Sequence, residues 1–198
     1  MATDPPRIAL IRHGETEWSA TGRHTSVTDV DLTARGERQA RQVPMVLRML
    51  GIAPATVVTS PRLRARHTAD LAGLNGSIDP QLAEWDYGDF EGLTTPEIGA
   101  AHPGWSLFRD GAPGGESLAQ VAARADQVLT MARELLPDGD VALVCHGHIS
   151  RVLAVRWVGL DPTACGIIAL DPACVTVLGF YRGAPIIEHS NVPADESR

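Results

Sequence analysis

The sequence predicts an α/β fold: a three-layer α/β/α sandwich around a mostly parallel central sheet. Three observations carry that prediction. Short unbroken apolar runs at Arg7 to Ile11, Thr56 to Thr59 and Val141 to Cys145 read as strands covered on both faces. Amphipathic helical patterns lie between them, the arrangement that lays helices over a parallel sheet. A length of 198 residues with 44% hydrophobic content suits a single domain, 1–198 with an ordered core at about 7–192. Such a chain buries roughly 70% of the surface it exposes when unfolded.

The elements follow in order. The first strand runs into Arg12-His13-Gly14. A helix is predicted over about 33–50, with Pro44 expected to kink it because proline lacks the N–H and clashes with the preceding turn. After the second strand, Ser60-Pro61 predicts a helix with serine as N-cap and proline at the first helical position, ending near Gly73. The clearest helix opens on a capping box, Ser117 with Gln120. Its apolar stripe includes Leu118, Val121, Ala122, Ala125, Val128, Leu129 and Ala132, and Pro137 and Gly139 close it. The third strand follows, then a helix from His148 to about Val158. Cys174 to Tyr181 and Ala184 to His189 read as further strands, and residues 193–198 as a frayed end.

Composition narrows the function. A net charge of −7 excludes a general nucleic-acid binder, and no apolar stretch approaches the ~20 residues of a membrane span. The opening MATDPPR lacks the apolar centre of a signal peptide, so a soluble, cytoplasmic protein is expected. All 17 basic residues are arginine, whose planar fork fits phosphate or carboxylate. Locally clustered arginines on an acidic chain suggest a small anionic ligand in one pocket. Cys145, Cys165 and Cys174 are odd in number and lack zinc-site spacing, so they read as structural thiols.

In open α/β sheets ligands bind beyond the carboxyl ends of the strands. The first strand ends in Arg12-His13-Gly14, the second in Thr59-Ser60 with Arg62 and Arg64 just beyond, and the third in His146-Gly147-His148. Parallel strands bring these ends to one rim, beside helix N-termini that favour anions. A neutral imidazole there is a competent nucleophile toward phosphorus. Arginine forks and a protonated second histidine would stabilise the charged equatorial oxygens. Gly14 would let the backbone pass close to the phosphate. The leaving alkoxide needs a general acid, and LAEWDYGDFEG offers Glu84, Asp86, Asp89 and Glu91. A glutamate in an apolar, aromatic loop is expected to have a raised pKa, which favours activity at mildly acidic pH.

Four stretches in order, RHGETEW, TSPRLRARHTA, LAEWDYGDFEG and CHGH, resemble the histidine phosphatase superfamily, with its phosphoglycerate-mutase-like fold, over nearly the whole chain. The resemblance implies that His13 becomes phosphorylated, that Arg12 and Arg64 clamp phosphate, that His146 is the second pocket histidine and that Glu84 is the proton donor. Arg64 is preferred to Arg62 because the pattern S-x-x-x-R-A falls on Ser60 and Arg64-Ala65. Ser19, Thr25, Tyr87 and His148 are weaker candidates for binding substrate. His24 reads as structural or exposed. Thr95 stands where phosphoglycerate mutases carry a lysine, and Arg109 is the lone arginine where they carry a pair.

The expected activity is therefore an acid-type phosphomonoesterase acting on small phosphorylated metabolites through a phosphohistidine, needing neither metal nor cofactor. The alternatives are a phosphoglycerate mutase and a non-catalytic phosphate-binding scaffold. Trp85, Trp105 and Phe108, with few cations near them, suggest a broad or moderately apolar leaving group. A homodimer is compatible with the resemblance.

Overall fold

A computed structural model describes residues 5–194, so residues 195–198 of the expected frayed end lie outside it. The elements are β1 (Ile8–Arg12), α1 (Glu17–Ala20), α2 (Ala34–Met49), β2 (Pro54–Thr59), α3 (Leu63–Leu71), β3 (Ser77–Ile78), α4 (Thr95–Ala101), α5 (Leu107–Asp110), α6 (Leu118–Leu135), β4 (Asp140–Cys145), α7 (Gly147–Trp157), β5 (Val175–Tyr181) and β6 (Ala184–Val192). They form a six-stranded sheet in the order β3-β2-β4-β1-β5-β6. β1, β2, β3 and β4 are parallel, while β5 and β6 are antiparallel additions at one edge.

Alternation along β1 explains the three layers. Ile8 and Leu10 pack with α6 and α7, through Val121, Val128, Leu129, Val152 and Leu153. Ala9 and Ile11 point to the opposite face and pack with α2 and α3, through Val43, Leu47, Ala65 and Ala69. Each fully buried valine or leucine contributes roughly 1.5–3 kcal/mol, so both faces must be apolar. That is why the central strands read as continuous hydrophobic runs.

The capping box at Ser117 forms as expected, with reciprocal bonds between Ser117 and Gln120. Three local expectations differ. α2 runs unbroken through Pro44; its buried face, Val43, Val46 and Leu47, anchors residues on either side of the proline. α3 starts at Leu63 rather than at Pro61, with Arg62 in the N-cap position and no side-chain cap of its own; Ser60 still accepts the Arg62 N–H at 3.3 Å, and its hydroxyl also lies 2.7 Å from His146 Nε2. α7 starts one residue earlier than expected, at Gly147. β3 has two exposed residues, too short for a periodic signal. No helix among the described residues is long and apolar enough to cross a membrane.

Register places the rim. Ile11 pairs with Val144 and Arg12 with Cys145, and the His13 N–H donates to Cys145 O at 3.0 Å. His13 and His146 thus leave adjacent strands side by side.

Candidate active site

His13 is 4% exposed, and its Nδ1 lies 2.7 Å from Gly14 O. A carbonyl only accepts, so Nδ1 carries the proton and Nε2 keeps a lone pair. Burial first, then Arg64 and Arg12, push the His13 pKa well below the usual imidazole value. The ring is therefore neutral and nucleophilic. Gly14 has a role other than the expected approach to phosphate. Its N–H donates to Thr68 Oγ1 at 3.0 Å, and a Cβ there would stand 2.4 Å from Gly36 O. The glycine lets the end of β1 pass against the start of α2.

His146 packs edge-on to His13, ring centroids 5.2 Å apart. Its Nε2 meets Ser60 Oγ, while its buried Nδ1 has no partner among the described residues. Burial, then Arg64, His13 and Arg12, hold it neutral in the free site. The expected protonated second histidine is thus absent before an anion binds, because three cationic or imidazole neighbours surround a desolvated ring.

Arg12 donates from Nη1 to Leu170 O at 2.6 Å, and its Nε is buried without a partner. Gly147 makes room for it: a Cβ there would lie 3.4 Å from the guanidinium carbon. Arg64 is fully buried and holds the loop after α1 by donating to the carbonyls of Thr25, Ser26 and Thr28. Its Nε is left without a partner among the described residues.

Glu84 departs most from expectation. Its Oε1 accepts from the backbone N–H groups of Trp85 and Ile149, both at 2.9 Å, and its Oε2 from that of His148 at 3.0 Å. Burial alone would raise its pKa, yet these donors and His148 outweigh it and the pKa is lowered. The expected raised pKa is overturned by the amino end of α7, which no local reading of the loop includes. The loop itself hangs on Arg124, which donates to the carbonyls of Gln81, Ala83 and Glu84 and to both oxygens of Glu116. Glu116 in turn accepts the Asp86 N–H at 2.9 Å.

A cavity of about 270 Å³ opens over this arrangement. Of the residues expected in the site, Arg12, His13, Ser19, Thr25, Glu84, Tyr87 and His148 line it. Arg64 and His146 do not; both are fully buried next to it, His146 edge-on to His13. The Ser19 hydroxyl is held in a capping box with Thr16, and the Thr25 hydroxyl donates to Arg23 O. Tyr87 Oη is 2.5 Å from His148 Nδ1, and burial pushes the His148 pKa down to about 3. Of the two readings of His24, structural holds and exposed does not: its Nδ1 donates to Leu93 O at 2.9 Å. It is 8% exposed, lines the cavity and stacks parallel to His148 at 5.9 Å. Arg23, Thr95 and Arg151 also line it. Arg151 was legible, since it stands three and four residues beyond His148 and Gly147 and so shares their helix face.

A neutral imidazole with its free nitrogen at an arginine-lined cavity, beside a buried carboxyl, is an arrangement for moving a phosphoryl group. The sequence profile of the histidine phosphatase superfamily (branch 1) matches residues 8–193. The chain belongs to that family.

Individual relatives agree. An acid phosphatase of Mycobacterium tuberculosis is 44% identical over 178 residues, spanning 89% of this chain and 88% of its own. The sedoheptulose 1,7-bisphosphatase of Saccharomyces cerevisiae is 36% identical over 185 residues, 78% of this chain and 68% of its own. The solved structure of a Mycobacterium tuberculosis open reading frame product superimposes with a TM-score of 0.93 at 42% identity, covering 96% of this chain and 99% of the other. The fold of this histidine phosphatase, four parallel strands with an antiparallel edge pair, is thus the phosphoglycerate-mutase-like one.

Proposed function

We propose that this histidine phosphatase hydrolyses small phosphate monoesters through a phosphohistidine on His13. The observation that carries the reading is the neutral His13 ring, with Nδ1–H tied to Gly14 O and Nε2 left as the nucleophile at the cavity. Nε2 attacks phosphorus, the bond from phosphorus to the ester oxygen breaks, and that oxygen takes a proton from Glu84. Water then attacks phosphorus and gives its proton to Glu84, the P–N bond breaks, and phosphate leaves with His13 neutral again.

The buried N–H groups of Arg12 Nε and Arg64 Nε, unpartnered within the described chain, are available to the phosphoryl oxygens. With Ser60 donating to His146 Nε2, the proton of that ring sits on Nδ1 and adds a third donor. A bound dianion would also raise the pKa of His146 and of Glu84. The proton Glu84 needs arrives with the substrate, because a phosphate monoester has a second pKa of about 6 and enters as a monoanion in mild acid. Thr95 at the cavity wall, where the mutases carry lysine, supports hydrolysis over isomerisation. So does Arg109, which is exposed and paired with Asp110 at 2.7 Å.

The test is hydrolysis of p-nitrophenyl phosphate, with EDTA present, by wild type and His13→Ala. Wild-type turnover with at least a ~10⁴-fold loss in the variant is expected. Wild type inactive from acid to neutral pH, or a variant nearly as fast, would overturn the reading.

A further inference from the structure

Beyond the groups assigned to phosphoryl transfer, the cavity holds a cation with nothing to do. Arg151 lines it, and its Nε is buried without a partner. No hydrogen bond or carboxylate within 4.0 Å engages its guanidinium among the described residues. Arg23, the other arginine on that wall besides Arg12, does lie near an acid, Glu97, at 3.8 Å, and donates to Gly92 O at 2.6 Å.

Placement on α7 directs Arg151 into the cavity. It stands four residues after Gly147 and three after His148, both of which line the cavity. Helical side chains lean toward the N-terminus, which here is the end that holds Glu84. Arg12 feels Arg151 as a like charge as well as Glu84 as an opposite one. The hydrogen bonds of the Glu84 carboxylate go to backbone N–H groups of Trp85, His148 and Ile149 rather than to Arg151. A partly desolvated guanidinium beside another cation is costly unless an anion joins them.

We infer that Arg151 binds a second anionic group, a carboxylate or a phosphate, on the leaving-group side of the substrate, and so selects doubly anionic phosphomonoesters. The inference rests on the hydrolase reading and deepens it. It also replaces the apolar leaving group expected from Trp85, Trp105 and Phe108. None of those aromatics lines the cavity; Trp105 packs on His24, Phe108 on His148 and Trp85 on Phe108, while the charge comes from a helix outside their segment. A cavity of about 270 Å³ suits a small acid or sugar rather than a polymer.

Two matched substrate pairs test it. 3-Phosphoglycerate and glycerol 3-phosphate differ by a carboxylate; fructose 1,6-bisphosphate and fructose 6-phosphate differ by a phosphate. In wild type, kcat/KM should favour the doubly anionic member of at least one pair by ~10-fold or more, and the favoured pair identifies the group. Arg151→Gln should remove that preference by raising KM ~10- to 100-fold for the anionic member, with kcat changing much less, as expected for lost charge-assisted bonds made equally in ground and transition states. Arg151→Lys should restore part of it, because a point charge remains without the fork. Equal losses on both members of each pair would place Arg151 on the transferred phosphoryl group and overturn the inference; so would no loss on either. If wild type hydrolyses none of the four, the hydrolase reading fails separately. Calorimetric binding of the same pairs to wild type and Arg151→Gln then decides: an anion preference lost in the variant supports the second site, and equal binding removes it.

Discussion

Oε2 of Glu84 accepts the backbone N–H of His148 at 3.0 Å. Because Ile149 donates to the other oxygen, the carboxylate docks on the first turn of α7, where helix N–H groups are unsatisfied and the dipole is positive. The proposed proton donor is thus held ionised in the free enzyme. One helix end fixes both its position and its charge in the free site.

Glu84→Gln should therefore lower kcat by ~10²- to 10⁴-fold on alkyl phosphates, whose leaving alkoxide needs a proton. The loss on p-nitrophenyl phosphate should be far smaller, since that leaving group departs as a stable anion. Steady-state rates on both substrates check it; equal losses would mean Glu84 only shapes the site.

The pH–rate profile should peak on the acid side of neutrality. His13 has its pKa held well below the usual imidazole value by burial and two arginines, so acid inactivation begins well below pH ~6.5. Above about pH 6 the monoanionic ester is lost, while Glu84, with its lowered pKa, brings no proton of its own. kcat/KM should then fall up to ~10-fold per pH unit. A plateau extending into alkali would show that the proton comes from elsewhere.

Stability should move the opposite way. Burial holds the pKa of His13 and His146 well down and that of His148 at about 3. Below pH ~6.5 the unfolded chain takes up protons that the folded one does not, so stability is fully present above that pH and declines as pH falls toward the folded values. Each such histidine accounts for at most about 1.4 kcal/mol per pH unit. Thermal unfolding between about pH 7 and pH 5 should show a falling Tm, and vanadate or phosphate should oppose the fall by binding the folded state. A flat Tm would mean the rings protonate in place.

Arg124→Met should destabilise the fold by roughly 1–3 kcal/mol, the cost of leaving part-buried carbonyls and the part-buried Glu116 carboxylate without their donor. The five hydrogen bonds of Arg124 tie α6 to the backbone leading up to and including the glutamate and to Glu116. Chemical denaturation measures the loss, and kcat on an alkyl phosphate should fall with it even at temperatures where the variant is fully folded.

Much of this was legible in the chain. The central strands were readable because a two-sided burial requirement leaves unbroken apolar runs, and α6 because its stripe and capping box are local signals. His13, Arg12 and Glu84 stood in motifs. What escaped reading depends on tertiary partners. The pKa of Glu84 is set by α7, more than sixty residues away. Ser60 caps the Arg62 N–H as its position suggested, but nothing near it in sequence reveals its bond to His146. His24 joins the cavity through its stack on His148. Arg109 was a lone arginine in a loop, and only the fold shows that Asp110 occupies it.

The pairing of β1 with β4 has a wider consequence. His13 and His146 are held apart by the spacing of two neighbouring strands, about 4.8 Å, and not by any loop. The reactive pair is in effect machined into the frame, whereas the segment from Gly92 to Gly115 is a fitting bolted to its rim. Fittings of that kind can be exchanged to suit a different alcohol or acid without recalibrating the reaction beneath them.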